Sequence, residues 1–147
     1  ATPASAPAST AFASPLPSML ALSAATRAVA AEATLAGALA ALQRQACALT
    51  RATTASVVVF EGGTRVARTA DGPITSDEFR AIVTRVASRG RREVFDNALV
   101  EPIGGAPSHA VLALWRPAAR PFEPHDIALV AALVGGVAAT LRRLLGR

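Results

Sequence analysis

Apolar residues recur at helical spacing in the first third of the chain. Thr34 can cap a helix in which leucines recur at positions 35, 39, 42 and 49. Ser18 can cap an earlier helix that starts after Pro17. The pattern predicts helical structure over residues 18–50 and leaves open whether it forms two helices or one bent helix.

A hairpin is predicted directly after this helical region. Ser56–Phe60 is a β-branched run that ends in an aromatic residue, and Arg65–Thr69 alternates as a half-exposed strand does. The Gly62-Gly63 pair between them tolerates the positive φ angles of a tight turn.

The second half of the chain predicts three more extended segments. Glu93–Phe95 is short, and Leu99–Ile103 contains Pro102, which favours an edge strand or an irregular segment. The strand His109–Trp115 should alternate between two faces. One face would carry Ala110, Leu112 and Leu114, and the other His109, Val111, Ala113 and Trp115.

One helix between these strands has clear start and stop signals. Thr75 and Glu78 form a capping box, and Gly90 can supply the carboxyl-terminal cap. Its predicted apolar face consists of Phe79, Ile82, Val83 and Val86.

The last helix is apolar on every side from Ile127 to Leu141, with Pro124 and Asp126 in its first turn. This run is shorter than the ~20 apolar residues that span a bilayer, so we expect a buried helix and no membrane insertion. A sheet can cover only one of its faces, so the other should meet a second subunit. The predicted homodimer contact is a stripe of small residues: Ala128, Ala132, Gly136 and Thr140.

Composition separates a tail from a domain. Residues 1–17 are mostly Ala, Pro, Ser and Thr, which predicts a flexible tail or linker before a domain at 18–147. The chain lacks an initial Met, which suggests a processed chain or a piece of a longer one.

Charge and cysteine content exclude several classes of function. The net charge is +5 and all fifteen basic residues are Arg, spread along the chain without the basic block expected for nucleic-acid binding. The single cysteine, Cys47, excludes an internal disulfide and a cysteine zinc site. No nucleophile–base pair, metal-ligand spacing or phosphate loop is present, so an enzyme is not expected.

The order of elements predicts an α+β fold with an antiparallel sheet. From about Leu20 onward the chain resembles a GAF domain. The features that carry the resemblance are Val57–Phe60 as first strand, Pro102-Ile103 after an apolar strand start, Val111–Leu114 as penultimate element, and the spacing of Phe122, Asp126 and Leu129.

The resemblance implies a sensory or regulatory domain of a bacterial signalling protein. Such a domain has about five to six strands, with the amino- and carboxyl-terminal helices on one sheet face. A helix and loops cover a small-molecule pocket on the other face. The resemblance also implies a homodimer through the terminal helices, an output domain in a longer parent protein and, with no export signal evident, a cytoplasmic location.

The family's known ligand motifs are mostly missing, so the cofactor is unknown. The cyclic-nucleotide subtype needs a Lys that this chain lacks, and Cys47 lies on the wrong element for a bilin. Haem ligation by His109 stays open, although a structural role is favoured for His109 and His125.

If a pocket exists, eight residues should line it. Arg65 or Arg68 would pair with an anionic ligand, and Phe95 or Trp115 would stack on a planar one. The complete set is Arg65, Arg68, Phe79, Val83, Phe95, Asp96, His109 and Trp115. The alternative is a ligand-free dimerisation or scaffold module whose pocket is filled by these side chains.

Overall fold

The computed structural model describes residues 16–61, 64–68, 77–117 and 120–145, which form four helices and five strands. The helices are α1 (Leu16–Ala30), α2 (Leu35–Thr50), α3 (Asp77–Arg89) and α4 (Pro124–Leu145). The strands are β1 (Thr54–Glu61), β2 (Thr64–Arg68), β3 (Glu93–Val94), β4 (Ala98–Ile103) and β5 (Ala110–Trp115). Residues 1–15 of the predicted tail and Thr75 of the predicted capping box lie outside the described residues.

The first helical region consists of two helices. Thr34 has extended backbone angles and its Oγ1 accepts a hydrogen bond from the Gly37 amide at 3.1 Å, so the predicted cap of α2 is confirmed. The predicted cap of α1 is wrong, because α1 begins at Leu16 and Ser18 lies within its first turn.

The sheet is antiparallel throughout, in the order β2-β1-β5-β4-β3. Four strands have five residues or more and β3 has two, and the described residues form no sixth strand. β4 was predicted as an edge or irregular segment but pairs on both sides. Its Pro102 lies beyond the two positions, Leu99 and Val100, with which β3 pairs, so the missing amide hydrogen is tolerated there.

Two apolar cores lie on opposite faces of the sheet. On one face Leu112 and Leu114 of β5 pack with α1, α2 and α4. On the other face Val111, Ala113 and Trp115 pack with α3. The predicted alternation over 110–115 is therefore confirmed.

α4 is the central helix of the first core. By length and composition it would be long enough to cross a membrane, yet Leu133, Val137 and Leu141 are fully buried against the sheet and the other helices. Asp126 accepts a hydrogen bond from the Glu123 amide at 2.9 Å, which confirms its predicted role at the start of this helix.

Three of the four small residues in the predicted stripe on α4 are exposed, namely Ala128, Ala132 and Gly136. Thr140 is buried, and Gly136 also lies close to Thr26 of α1. Gly135 and Ala139 are further small residues exposed on α4.

Candidate functional site

A pair of aromatic rings marks the place where α3 begins to cover the sheet. Trp115 ends β5, and the strand alternation directs it toward α3. Phe79 lies in the first turn of α3, and its ring centroid is 5.0 Å from that of Trp115 at an interplanar angle of 43°. Both side chains are largely buried, so the pair fixes the amino-terminal end of α3 on the sheet.

Beyond this pair, side chains fill the space between α3 and the sheet. Val83 and Val86 of α3 pack against Val100 and Val111, and all four are buried. Val83, predicted to line a pocket, is therefore part of the core.

An open cleft lies beside this core, and we call it the aromatic cleft. It has a volume of about 280 Å³ and is lined by Glu78, Phe79, Ile82, Phe95, Asn97, Ala98 and Trp115. Phe95 is held in the β3–β4 turn, where its amide donates to the Ala98 carbonyl at 2.8 Å, and its side chain is 38% exposed. Three of the predicted residues, Phe79, Phe95 and Trp115, thus meet in one place.

The other predicted residues are located elsewhere. Asp96 is exposed in the turn after Phe95 and does not line the cleft. Arg65 and Arg68 lie on β2, at the sheet edge opposite β3, where they pair with Phe60 and Val58. Trp115 pairs at the far end of β1, so the strand register separates both arginine positions from the aromatic cleft.

The His109 ring does not lie with Val111, Ala113 and Trp115 as predicted. β5 begins at Ala110, so the alternation of the strand does not govern His109, and its ring lies over Gly104 near Arg142 of α4, although the residue also lines a cleft beside α3. Burial and the positive charge of Arg142 lower the pKa of His109, against a smaller opposing effect of the Ala138 carbonyl. Its Nε2 atom is buried and makes no hydrogen bond within the described residues.

A second cleft, of about 350 Å³, lies at the carboxyl-terminal end of α3. Its lining includes the hydroxyl residues Thr84, Ser88 and Ser108 together with Phe60, Ala87, Pro107 and His109. It contains none of the three aromatic residues that line the aromatic cleft.

Sequence reasoning missed Arg116. Its Nη1 donates to Asp126 and to the Pro121 carbonyl, each at 3.0 Å, and its Nε donates to the Thr50 carbonyl at 3.0 Å. The guanidinium also lies 4.5 Å from the ring centre of Phe122. Arg116 therefore joins the end of β5 to the end of α2 and the start of α4. The advance signals were its two side-chain partners, Asp126 and Phe122, because the other partners are backbone carbonyls.

Two further ion pairs connect the β3 region. Arg85 forms a double hydrogen bond with Glu93, at 2.6 and 2.5 Å, which lowers the pKa of Glu93. Arg92 pairs with Glu101 at 2.8 Å, although burial raises the pKa of Glu101 more strongly than Arg92 lowers it.

Metal and thiol chemistry find little support in the described part of the chain. Its residues contain no group of three or more His, Cys, Asp or Glu side chains that could hold a metal ion. Burial raises the pKa of the Cys47 thiol, which makes it a poor nucleophile.

The comparisons with known proteins identify the fold. No protein-family model and no curated protein matches the sequence. Among solved structures, the chain is similar to the GAF domain of a phosphoenolpyruvate-protein phosphotransferase from Acinetobacter. The TM-score is 0.70 at 11% identity, over 87% of this chain and 94% of that one. It is equally similar to the GAF domain of a phosphoenolpyruvate-protein phosphotransferase (ptsP) from Coxiella burnetii, with a TM-score of 0.70 at 15% identity, over 88% and 95%. The chain therefore has the fold of a GAF domain, as the sequence resemblance predicted.

Proposed function

We propose that this chain is a regulatory GAF-type domain that binds a small molecule in the aromatic cleft and self-associates through α1 and α4. In this proposal it has no catalytic role, lies in the cytoplasm and controls an output domain in a longer protein. The GAF domains to which it is similar belong to phosphoenolpyruvate-protein phosphotransferases. This supports a regulatory role for the chain beside an output domain in a longer protein.

The observation that carries the ligand part is the meeting of Phe79, Phe95 and Trp115 at one open cleft. Ligand sites in proteins are typically concave and lined by apolar and aromatic side chains with a few polar groups. Phe95 supports this interpretation, because a large aromatic side chain left 38% exposed has more to bury when a ligand arrives.

Self-association is supported by the exposed sides of the two terminal helices. Met19 and Leu20 of α1 are 59% and 62% exposed, and α1 packs against α4. α4 adds exposed Ala132 and Ala139, whose small side chains allow close approach of another helix. A second copy that covers these positions would bury apolar surface of both helices.

The filled core between α3 and the sheet favours a second candidate, a ligand-free dimerisation module. In that case α3 has a purely structural role and the aromatic cleft stays empty. The two candidates share the dimer and differ in whether any small molecule stabilises the fold.

Native mass spectrometry of the whole chain tests the dimer and reports any retained ligand as extra mass. We expect a dimer that Ala132→Glu converts to a monomer, because the new charge would have to be buried. Ala81→Glu is the matched control, since Ala81 is exposed on α3, and it should stay dimeric. A monomeric wild type would overturn the self-association.

A thermal-shift screen tests the ligand part. A small molecule that binds only the folded state raises the midpoint of unfolding. Phe95→Ala should reduce that rise, because it removes one wall of the cleft. Absence of any stabilising compound, together with absence of extra mass, would favour the ligand-free module.

A further inference from the structure

Carboxylates outnumber unpaired cations around the aromatic cleft. Glu78 lines the cleft, and Asp96 is exposed in the turn between two lining residues, Phe95 and Asn97. Within the described residues neither carboxylate has an ion-pair partner within 4.0 Å.

The nearby arginines have carboxylate partners or point elsewhere. Arg80, on the same turn of α3, lies 3.8 Å from Asp77. Arg85, further along α3, is bound to Glu93. Arg116 follows Trp115 but is turned toward Asp126 on the other side of the sheet. The amino terminus of α3 contributes a partial positive charge, which Asp77 and Glu78 in its first turn offset.

The walls of the cleft favour the same sign of ligand charge. The face of an aromatic ring carries a negative partial charge, and Trp attracts cations most strongly. Trp115 and Phe79 form the inner wall and Phe95 the outer wall, so a cation in the cleft would lie beside these three rings and near Glu78.

We propose that the aromatic cleft binds an organic ammonium ion with an apolar body, its charged group beside Glu78. This inference rests on the proposed function insofar as the aromatic cleft is taken to be a ligand site. The earlier expectation of an anion paired with Arg65 or Arg68 does not apply to this cleft, because β2 lies at the opposite edge of the sheet. The volume of about 280 Å³ suits a small ligand rather than a nucleotide.

The chain contains its own reporter for this site. Trp115 is the only Trp and there is no Tyr, so fluorescence excited at the indole absorption edge reports the cleft alone. The whole chain would be titrated into the millimolar range, at constant ionic strength, with benzyltrimethylammonium, phenylacetate and benzyl alcohol. These probes share a benzyl body and carry a positive, a negative and no charge.

Benzyltrimethylammonium should bind and phenylacetate should bind at least about ten-fold more weakly, since its charge is repelled by Glu78 and by the ring faces. Glu78→Gln should weaken binding of the ammonium probe by about five-fold. Glu123→Gln is the matched control, because Glu123 is acidic and exposed, directly precedes α4 and does not line the cleft. It should leave the dissociation constant within about two-fold of the wild type. Phe95→Ala should weaken every probe that binds.

The outcomes separate this inference from the proposed function. Equal binding of the three probes, or preference for phenylacetate, would overturn the ammonium assignment and leave the cleft as a ligand site. Ammonium binding that Glu78→Gln does not weaken would overturn the placement of the charge. No fluorescence change with any probe would overturn this inference, and a negative thermal-shift screen in addition would remove the ligand part of the proposed function.

Discussion

A methyl group placed on Gly136 would lie only 2.9 Å from Cγ2 of Thr26, so α1 meets the backbone of α4 at this point. Thr26 is held in place by a hydrogen bond from its hydroxyl group to the Leu22 carbonyl at 3.0 Å. Gly136, which the sequence pattern assigned to a contact with a partner subunit, therefore also makes a contact within the chain.

Neighbouring glycines of α4 should respond in opposite ways to the same substitution. Ala is favoured over Gly in a helix interior by up to about 1 kcal/mol, and a Cβ on Gly135 meets nothing within 4 Å. We expect Gly135→Ala to raise the free energy of unfolding and Gly136→Ala to lower it, with a difference of about 1 kcal/mol or more. Urea unfolding of both variants at one protein concentration measures this.

Removal of the Thr26 side chain provides the control. The double variant Thr26→Ala, Gly136→Ala should regain most of the difference, because the atoms that obstruct the new methyl group are gone. Equal stability of the two single alanine variants would show that α1 does not approach α4 as closely as described.

The Arg116 side chain should be one of the most sensitive positions for stability. It is 10% exposed and its partner Asp126 is 13% exposed, and the Thr50 carbonyl it binds lies at the end of α2, where no intrahelical partner exists. Arg116→Ala leaves these groups without a partner and should cost about 3 kcal/mol of unfolding free energy.

A comparison with an exposed ion pair isolates the effect of burial. Arg80, whose side chain is 55% exposed, pairs with Asp77 at 3.8 Å, and Arg80→Ala should cost less than about 1 kcal/mol. Arg116→Lys should fall between the two, since it keeps the charge but loses the fork that reaches three partners. A cost for Arg116→Ala no larger than that for Arg80→Ala would contradict the structural role given to Arg116.

Local signals in the sequence were sufficient for much of the fold. The alternation over 110–115 assigned each side chain of β5 to the correct face, and the Thr34 cap lies where its spacing predicted. Gly90 ends α3 with a φ of +67°, the left-handed conformation expected of a carboxyl-terminal cap. These features depend on a few consecutive residues, and the sequence alone therefore determines them.

The features that the sequence did not reveal are contacts between residues distant in the chain. Gly136 and Thr26 are 110 positions apart in the numbering, and no periodicity shows which of several helices will cover a stripe of small residues. Arg116 binds a carbonyl 66 residues away, which a sequence pattern cannot reveal. The aromatic cleft falls between these cases: its three aromatic residues were named, but the strand order that removes Arg65 and Arg68 from them was not foreseen.

Protonation of His109 should destabilise the fold. Its pKa is lowered from 6.5 mainly by burial and also by Arg142, so the unfolded chain binds a proton more readily than the folded one. The free energy of unfolding should therefore fall as the pH drops below about 6.5 and level off below the folded pKa. His109→Gln cannot titrate in this range and should show a smaller decrease between pH 8 and pH 5. Identical pH profiles for the two proteins would contradict this assignment.

Loss of Arg92 should leave a buried carboxylate without its ion-pair partner. Glu101 is 5% exposed, and burial already raises its pKa above 4.5 despite Arg92. We expect Arg92→Ala to cost about 2 kcal/mol of unfolding free energy at neutral pH. A raised folded pKa means that the folded state binds the proton more readily, so the cost should shrink as the pH falls toward 4.5.

The double variant Arg92→Ala, Glu101→Gln, which has no charge to bury, should lose this pH dependence. Urea unfolding of the wild type, Arg92→Ala and the double variant at pH 7.5 and pH 5 measures these costs. An equal cost of Arg92→Ala at both pH values would show that Glu101 is solvated.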